Sequence, residues 1–119
     1  MDRAAAQAWV DAYERAWRTA GTEPVRALFA EDATYSMGPY EAVERGIAAI
    51  EALWERERVS HDEPFTMTSE IVAAEGDVAV ARLEVHYQAT GNEFRDLWVM
   101  RFAADGRCVA FEEWPFAPE

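Results

Sequence analysis

Residues 93–116 read EFRDLWVMRFAADGRCVAFEEWPF, and this stretch decides the fold. Two runs, Glu93 to Ala103 and Arg107 to Phe116, alternate in polarity with the period of a β-strand. Asp105-Gly106 between them is a hairpin dipeptide. A two-residue turn there sets Phe102 opposite Val109, Met100 opposite Phe111, Trp98 opposite Glu113 and Asp96 opposite Pro115. Working upstream, Gly91-Asn92 gives a second hairpin. A two-residue turn at that site sets Ala89 opposite Phe94, Tyr87 opposite Asp96, Val85 opposite Trp98 and Leu83 opposite Met100. The run Val78 to Thr90 therefore pairs with Glu93 to Ala103. Glu75-Gly76-Asp77 then separates it from a further run, Phe65 to Ala74.

This parity sorts the side chains into two faces. One carries Ala81, Leu83, Val85, Tyr87, Phe94, Asp96, Trp98, Met100, Phe102, Val109, Phe111, Glu113 and Pro115. It is apolar except for two carboxylates and a phenol. The other mixes Arg82, Glu84, His86, Gln88, Arg95, Arg101, Cys108, Ala110 and Glu112 with Leu97, Val99, Trp114 and Phe116. A face meant only for solvent has no need of those four large apolar residues. It reads as a polar-rimmed patch buried in a homodimer.

The chain before residue 60 reads helical. In Ala4 to Ala20, Trp9, Val10, Tyr13, Ala16, Trp17 and Ala20 recur at helical spacing, and Gly21 is a C-cap signal. Thr22 and Pro24 open a short second helix with Val25, Leu28 and Phe29 as its apolar face. Ala33 to Met37 reads as a short strand broken by Gly38-Pro39. A third helix starts near Tyr40 or Gly46 and runs to Arg58, with Ile47, Ile50, Leu53 and Trp54 as its stripe. Helices followed by an antiparallel meander give an α+β architecture, with the helices packed on one face of the sheet. Residues 1–119 read as a single domain.

Composition narrows the function classes. Eleven basic against 23 acidic residues give a formal charge of −12, and every basic residue is Arg. Such a surface repels nucleic acid and anionic lipid, so neither is an expected partner. Cys108 is the only cysteine, which rules out an internal disulfide and a cysteine metal cluster. There is no signal-peptide pattern and no apolar run of membrane-spanning length, so the expected location is cytoplasmic. The chain has no Gly-rich phosphate loop, nucleophile elbow or metal signature, and no cofactor is expected.

Asp96 and Glu113 carry the chemical argument. The register makes them diagonal neighbours, with Cα atoms about 7–8 Å apart or less. A carboxylate on an apolar face is costly unless it is paired or hydrogen-bonded. Desolvation raises its pKa, which makes it usable as an acid or base near neutral pH. The plainer reading puts either residue in water at a strand end. His61 reads as a loop residue beside Asp62 and Glu63, and His86 falls on the outward face.

The stretches LFAEDATY, RGIAAIEALW and FRDLWVMRFAADGRCVAFEEWPF, with the Trp9–Tyr13–Trp17 helix, resemble the nuclear-transport-factor-2-like superfamily. Within it they look most like the SnoaL-like proteins. The resemblance covers nearly the whole chain. It implies a cone-shaped, strongly curved antiparallel sheet closed by three N-terminal helices, with an apolar pocket inside and dimers through the convex sheet face. The superfold hosts many activities, so the resemblance does not name a reaction. Aligned with its ketosteroid isomerases, Tyr13 matches the oxyanion-hole tyrosine. Met37 stands where they carry the base, and Trp98 where they carry the protonated aspartic acid. That argues against this activity. The water-activating Asp–Arg–Asp network of limonene epoxide hydrolases lacks its arginine, since Arg95 points to the opposite face.

Two readings follow. In one, Asp96 or Glu113 is a general acid or base on a small apolar molecule, and Tyr13 orients an oxygen, as in an isomerase, cyclase or hydrolase. In the other, the same pocket belongs to a non-catalytic binding or dimerisation module. The candidate ligand-binding residues are Trp9, Trp17, Tyr35, Met37, Trp54, Tyr87, Trp98, Met100 and Phe111, which read equally well as plain core.

Overall fold

A computed structural model describes residues 1–118. Helix α1 spans Arg3–Trp17, and Asp2 caps it by accepting the Ala5 amide at 2.7 Å. Its buried stripe is Ala6, Trp9, Val10, Tyr13 and Ala16. The helix stops three residues short of the expected Ala20. Gly21 does not cap it; it sits in the following turn at φ +80°. Helix α2, Val25–Leu28, is capped by the backbone at Pro24. Thr22 makes no cap and instead donates to Glu51 at 2.8 Å.

Strand β1 (Phe29–Ser36) begins earlier than expected. It receives a two-residue strand, β2 (Glu44–Arg45), that has too few residues to show a period. Gly46, at φ +92°, then turns the chain into α3, Ile47–Glu57. The sheet is completed by β3 (Phe65–Glu75), β4 (Val78–Tyr87), β5 (Glu93–Phe102) and β6 (Cys108–Phe116). The strand order is β2-β1-β6-β5-β4-β3. Every pairing is antiparallel except β1 with β6, which run parallel. The sheet is curved and does not close. The helices pack on its inner face around a core that includes Phe29, Ile50, Trp54, Met100 and Phe111.

The β5–β6 register is the expected one along most of its length: Met100 faces Phe111, Trp98 faces Glu113 and Asp96 faces Pro115. It differs at the turn. Ala103 and Arg107 close a three-residue loop with Gly106 at φ +88°, so a bulge restores the register further on. Phe102 therefore faces Cys108, not Val109. Cys108, expected outside, is fully buried.

The β4–β5 register is shifted by four residues from expectation. Asp96 faces Leu83, and Val85 faces Phe94. Residues 88–92 form a wider connection in which the Tyr87 amide donates to the Asn92 carbonyl and the Gly91 amide donates to the Tyr87 carbonyl, both at 2.9 Å. An even shift keeps every side chain on its face, so the inward set is unchanged while its pairings move. Tyr87 now lies farther along, opposite Phe65.

On the convex face Leu97, Val99, Ala110 and Trp114 are half-buried and Phe116 is 56% exposed. Among the described residues no helix is long and apolar enough to cross a membrane.

Candidate functional site

The curvature of β3–β6 leaves a partly open cleft of about 340 Å³ between sheet and helices. That is within the range of small-molecule sites, roughly 300–1,000 Å³. Tyr13 and Trp17 of α1, Tyr35 and Met37 at the end of β1, and Leu53 of α3 form one side. Phe65 and Met67 of β3, Val85 and Tyr87 of β4, Phe94, Asp96 and Trp98 of β5, and Glu113 and Pro115 of β6 form the other. Glu14, Glu57 and Glu63 also line it.

Tyr13 is the centre of the inner aromatic packing. Its ring lies 4.5 Å from Trp98, 4.9 Å from Trp54 and 5.6 Å from Phe111, centroid to centroid. Its hydroxyl meets that of Tyr35 at 2.6 Å, and the Tyr35 hydroxyl donates to Glu113 Oε1 at 3.3 Å. A phenol has one proton to give. With Tyr35 donating to Glu113, Tyr13 must donate to Tyr35. Burial, reinforced for Tyr13 by Glu113 and for Tyr35 by Tyr13, holds both phenols well above their ordinary value of 10.0. They act as neutral hydrogen-bond donors.

Glu113 and Asp96 influence each other and titrate as a pair. Burial, and then the charge of Asp96, pushes Glu113 up to about 8. Burial also raises Asp96, but the Glu113 proton acts in the opposite sense on it. Near neutrality Glu113 is thus the member of the pair that keeps its proton. Tyr13 thus donates to Tyr35 and Tyr35 to Glu113, whose carboxyl is electrostatically linked to Asp96. Asp96 is only 5% exposed and its Oδ1 has no hydrogen-bond partner. The indole nitrogen of Trp98, two residues on and facing the same side, is likewise buried and unpartnered. Both atoms belong to residues that line the cleft.

Asp96 and Glu113 lie on one face as the strand parity implies, and Tyr13 of α1 lines the same cleft. Trp17, Tyr35, Met37, Tyr87 and Trp98 line the cleft. Trp9, Trp54, Met100 and Phe111 do not; they are packed behind it in the core. The Trp9 indole donates to the Leu28 carbonyl at 2.9 Å, which ties it to the α2 end. His61 and His86 are exposed and outside the lining. No arginine lines the cleft, and no group of metal-binding side chains occurs among the described residues. The sequence reading missed Phe65 and Met67 as walls. The alternation of FTMTSEI, whose Phe65, Met67, Ser69 and Ile71 are the less exposed positions, carried that signal. It also missed the rim glutamates, which no periodicity marks.

The fold recurs in solved structures. The Mycobacterium tuberculosis protein RV0760c superposes with a TM-score of 0.76 at 17% identity, covering 99% of each chain. An NTF-2 like protein of unknown function from Burkholderia xenovorans gives 0.74 at 16%, covering 95% of this chain and 84% of its own. The epoxide hydrolase/cyclase-like enzyme SalBIII, described with a role in pyran ring formation in the polyether salinomycin, gives 0.71 at 14%, covering 92% and 89%. At these identities the likeness is one of fold. No curated protein matches the sequence. The family model for the SnoaL-like domain, however, matches residues 9–111, and the chain belongs to that family.

Proposed function

We propose that the cleft binds a small, mostly apolar organic molecule and moves a proton on it, in an isomerase, cyclase or hydrolase type of reaction. Asp96 is the base: Oδ1 takes a proton from an activated C–H or from a hydroxyl of the substrate. Trp98 Nε1–H hydrogen-bonds the substrate oxygen on which charge develops. Glu113 supplies the acid, and Tyr35 and Tyr13 hold its carboxyl and spread the charge that moves along the chain. The proton taken by Asp96 returns to the product or passes to Glu113, so the pair ends as it began. The single observation that carries this reading is the unpartnered oxygen of Asp96 beside a carboxyl that keeps its proton near neutral pH. The SalBIII fold likeness is consistent with acid–base work in such a cleft and adds no residue assignment.

The test is turnover of a panel of epoxides, enolisable ketones and linear hydroxy-epoxides. Asp96→Asn and Glu113→Gln are expected to lower any activity found by about 10²-fold or more while leaving the circular dichroism spectrum unchanged. A ligand that binds in the cleft and is recovered unchanged, with no substrate turned over, would mark a binding module instead. We also propose that the convex face, with Leu97, Val99, Trp114 and Phe116, pairs two copies of the chain.

A further inference from the structure

We propose that the molecule taken by this cleft is a cationic amine with an apolar body, its ammonium group held at the mouth. The inference rests on the proposed small-molecule site and names its ligand class. The lining includes the buried ring of Phe65, the half-buried rings of Trp17 and Tyr87, the half-buried Glu63 and the exposed Glu57, of which the last four mark the mouth. Neither carboxylate has an ion-pair partner among the described residues. No basic side chain lines the cleft to offset them.

Two arginines show what this rim attracts. The Arg18 guanidinium lies 3.7 Å from the Phe65 ring centroid, and that of Arg58 lies 5.7 Å from the Trp17 ring. Both are held outside the cleft. Arg18 pairs with Glu14 at 2.9 Å and donates to the Phe65 carbonyl, while Arg58 donates to the carbonyls of Trp17, Thr19 and Gly21. The rim therefore already holds cations against the Phe65 and Trp17 rings, and the Tyr87 ring with Glu57 and Glu63 is left for one that comes from solution. At the inner end, Asp96 Oδ1 and Trp98 Nε1 are buried and unpartnered, so the same cavity also wants a polar group at depth. An anion gains nothing here: the acids of the lining and the net charge of −12 repel it from every side. The reactive end of the ligand then meets Asp96, and the ammonium stays with the glutamates and the Tyr87 ring.

The experiment compares three probes with nearly the same skeleton: cyclohexylmethylamine, cyclohexylmethanol and cyclohexanecarboxylate. Binding to the whole chain is followed by calorimetry and by tryptophan fluorescence. The amine is expected to bind roughly tenfold more tightly than the alcohol, and the carboxylate weakest of all. The double variant Glu57→Gln/Glu63→Gln is expected to bring the amine-to-alcohol ratio close to one. Added salt should reduce the same ratio. If the alcohol or the carboxylate matches the amine, or if the ratio survives the double substitution, the amine assignment is wrong and the apolar cleft stands. If no probe binds at millimolar concentration, the cleft itself is not a binding site and both readings fall.

Discussion

Leu83 stands directly across the β4–β5 ladder from Asp96. A hydrocarbon neighbour gives the carboxylate no donor, and on its other side Asp96 faces Pro115, which has no amide proton to offer. The polar company of Asp96 comes instead from Glu113, the Trp98 indole and the Phe116 backbone. Burial is the largest influence on the titration of both acids, and for each the other acid is the next.

Replacing Asp96 by Asn should accordingly lower the Glu113 pKa from about 8, because the Asp96 charge is the second cause of its elevation. It should stay above the ordinary 4.5, because burial is the first cause and remains. Carboxyl-carbon NMR titration of the variant checks this. A Glu113 value unmoved by the substitution would show that the two carboxyls do not communicate.

Stability should fall as pH rises through the range between 4.5 and about 8. In that window the unfolded chain has released the Glu113 proton and the folded chain still holds it. The folded state thus binds more protons, its advantage is complete below the unfolded value, and it is lost as pH climbs through the folded one. The expected loss is on the order of a few kcal/mol. Urea denaturation at a series of pH values measures it, and Glu113→Gln should flatten the profile. A wild-type protein that grows more stable across this window would contradict the buried-acid assignment.

Tyr35→Phe removes the link between Tyr13 and Glu113. It leaves a buried phenol unpartnered, at a cost of about 1–3 kcal/mol. The Tyr35 hydrogen bond holds Glu113 down, so its loss should raise the Glu113 pKa further. Chemical denaturation and the same NMR titration report the two effects separately. Loss of stability without movement of Glu113 would mean that Tyr35 serves only to pack.

The proposed pairing of convex faces predicts a mass of twice 13.5 kDa by light scattering. Leu97→Asp/Trp114→Asp should give monomers with the secondary structure retained, since both side chains are only half-buried in the single chain. A wild-type monomer at high micromolar concentration would remove the proposal.

The fold was legible because its signals were local and periodic. Trp9, Tyr13 and Ala16 at helical spacing, and Asp96, Trp98 and Met100 at strand spacing, needed no distant partner to be read. Residues sharing a face were legible because parity is conserved under any even slip. What could not be read was how far β4 slides along β5, since Gly91-Asn92 is compatible with either a tight or a wide connection. The one-residue displacement that buries Cys108 was hidden for a similar reason: Asp105-Gly106 suits both a two-residue turn and a three-residue loop with Gly106 at positive φ. Glu57 is the last residue of helix α3 and Glu63 lies in the connection that follows, whose path depends on tertiary packing, so no spacing announced them.

The wide connection at residues 88–92 makes the cleft adjustable without refolding. Sliding β4 by two residues would hand Asp96 a different facing side chain, Val85 or Ala81 in place of Leu83, and would draw Tyr87 in or push it out. Inside and outside would keep their identities throughout. Descendants of this chain can therefore reshape the cleft in discrete steps by lengthening or trimming one surface loop, whereas a slip by a single residue would turn the strand's greasy side to the water.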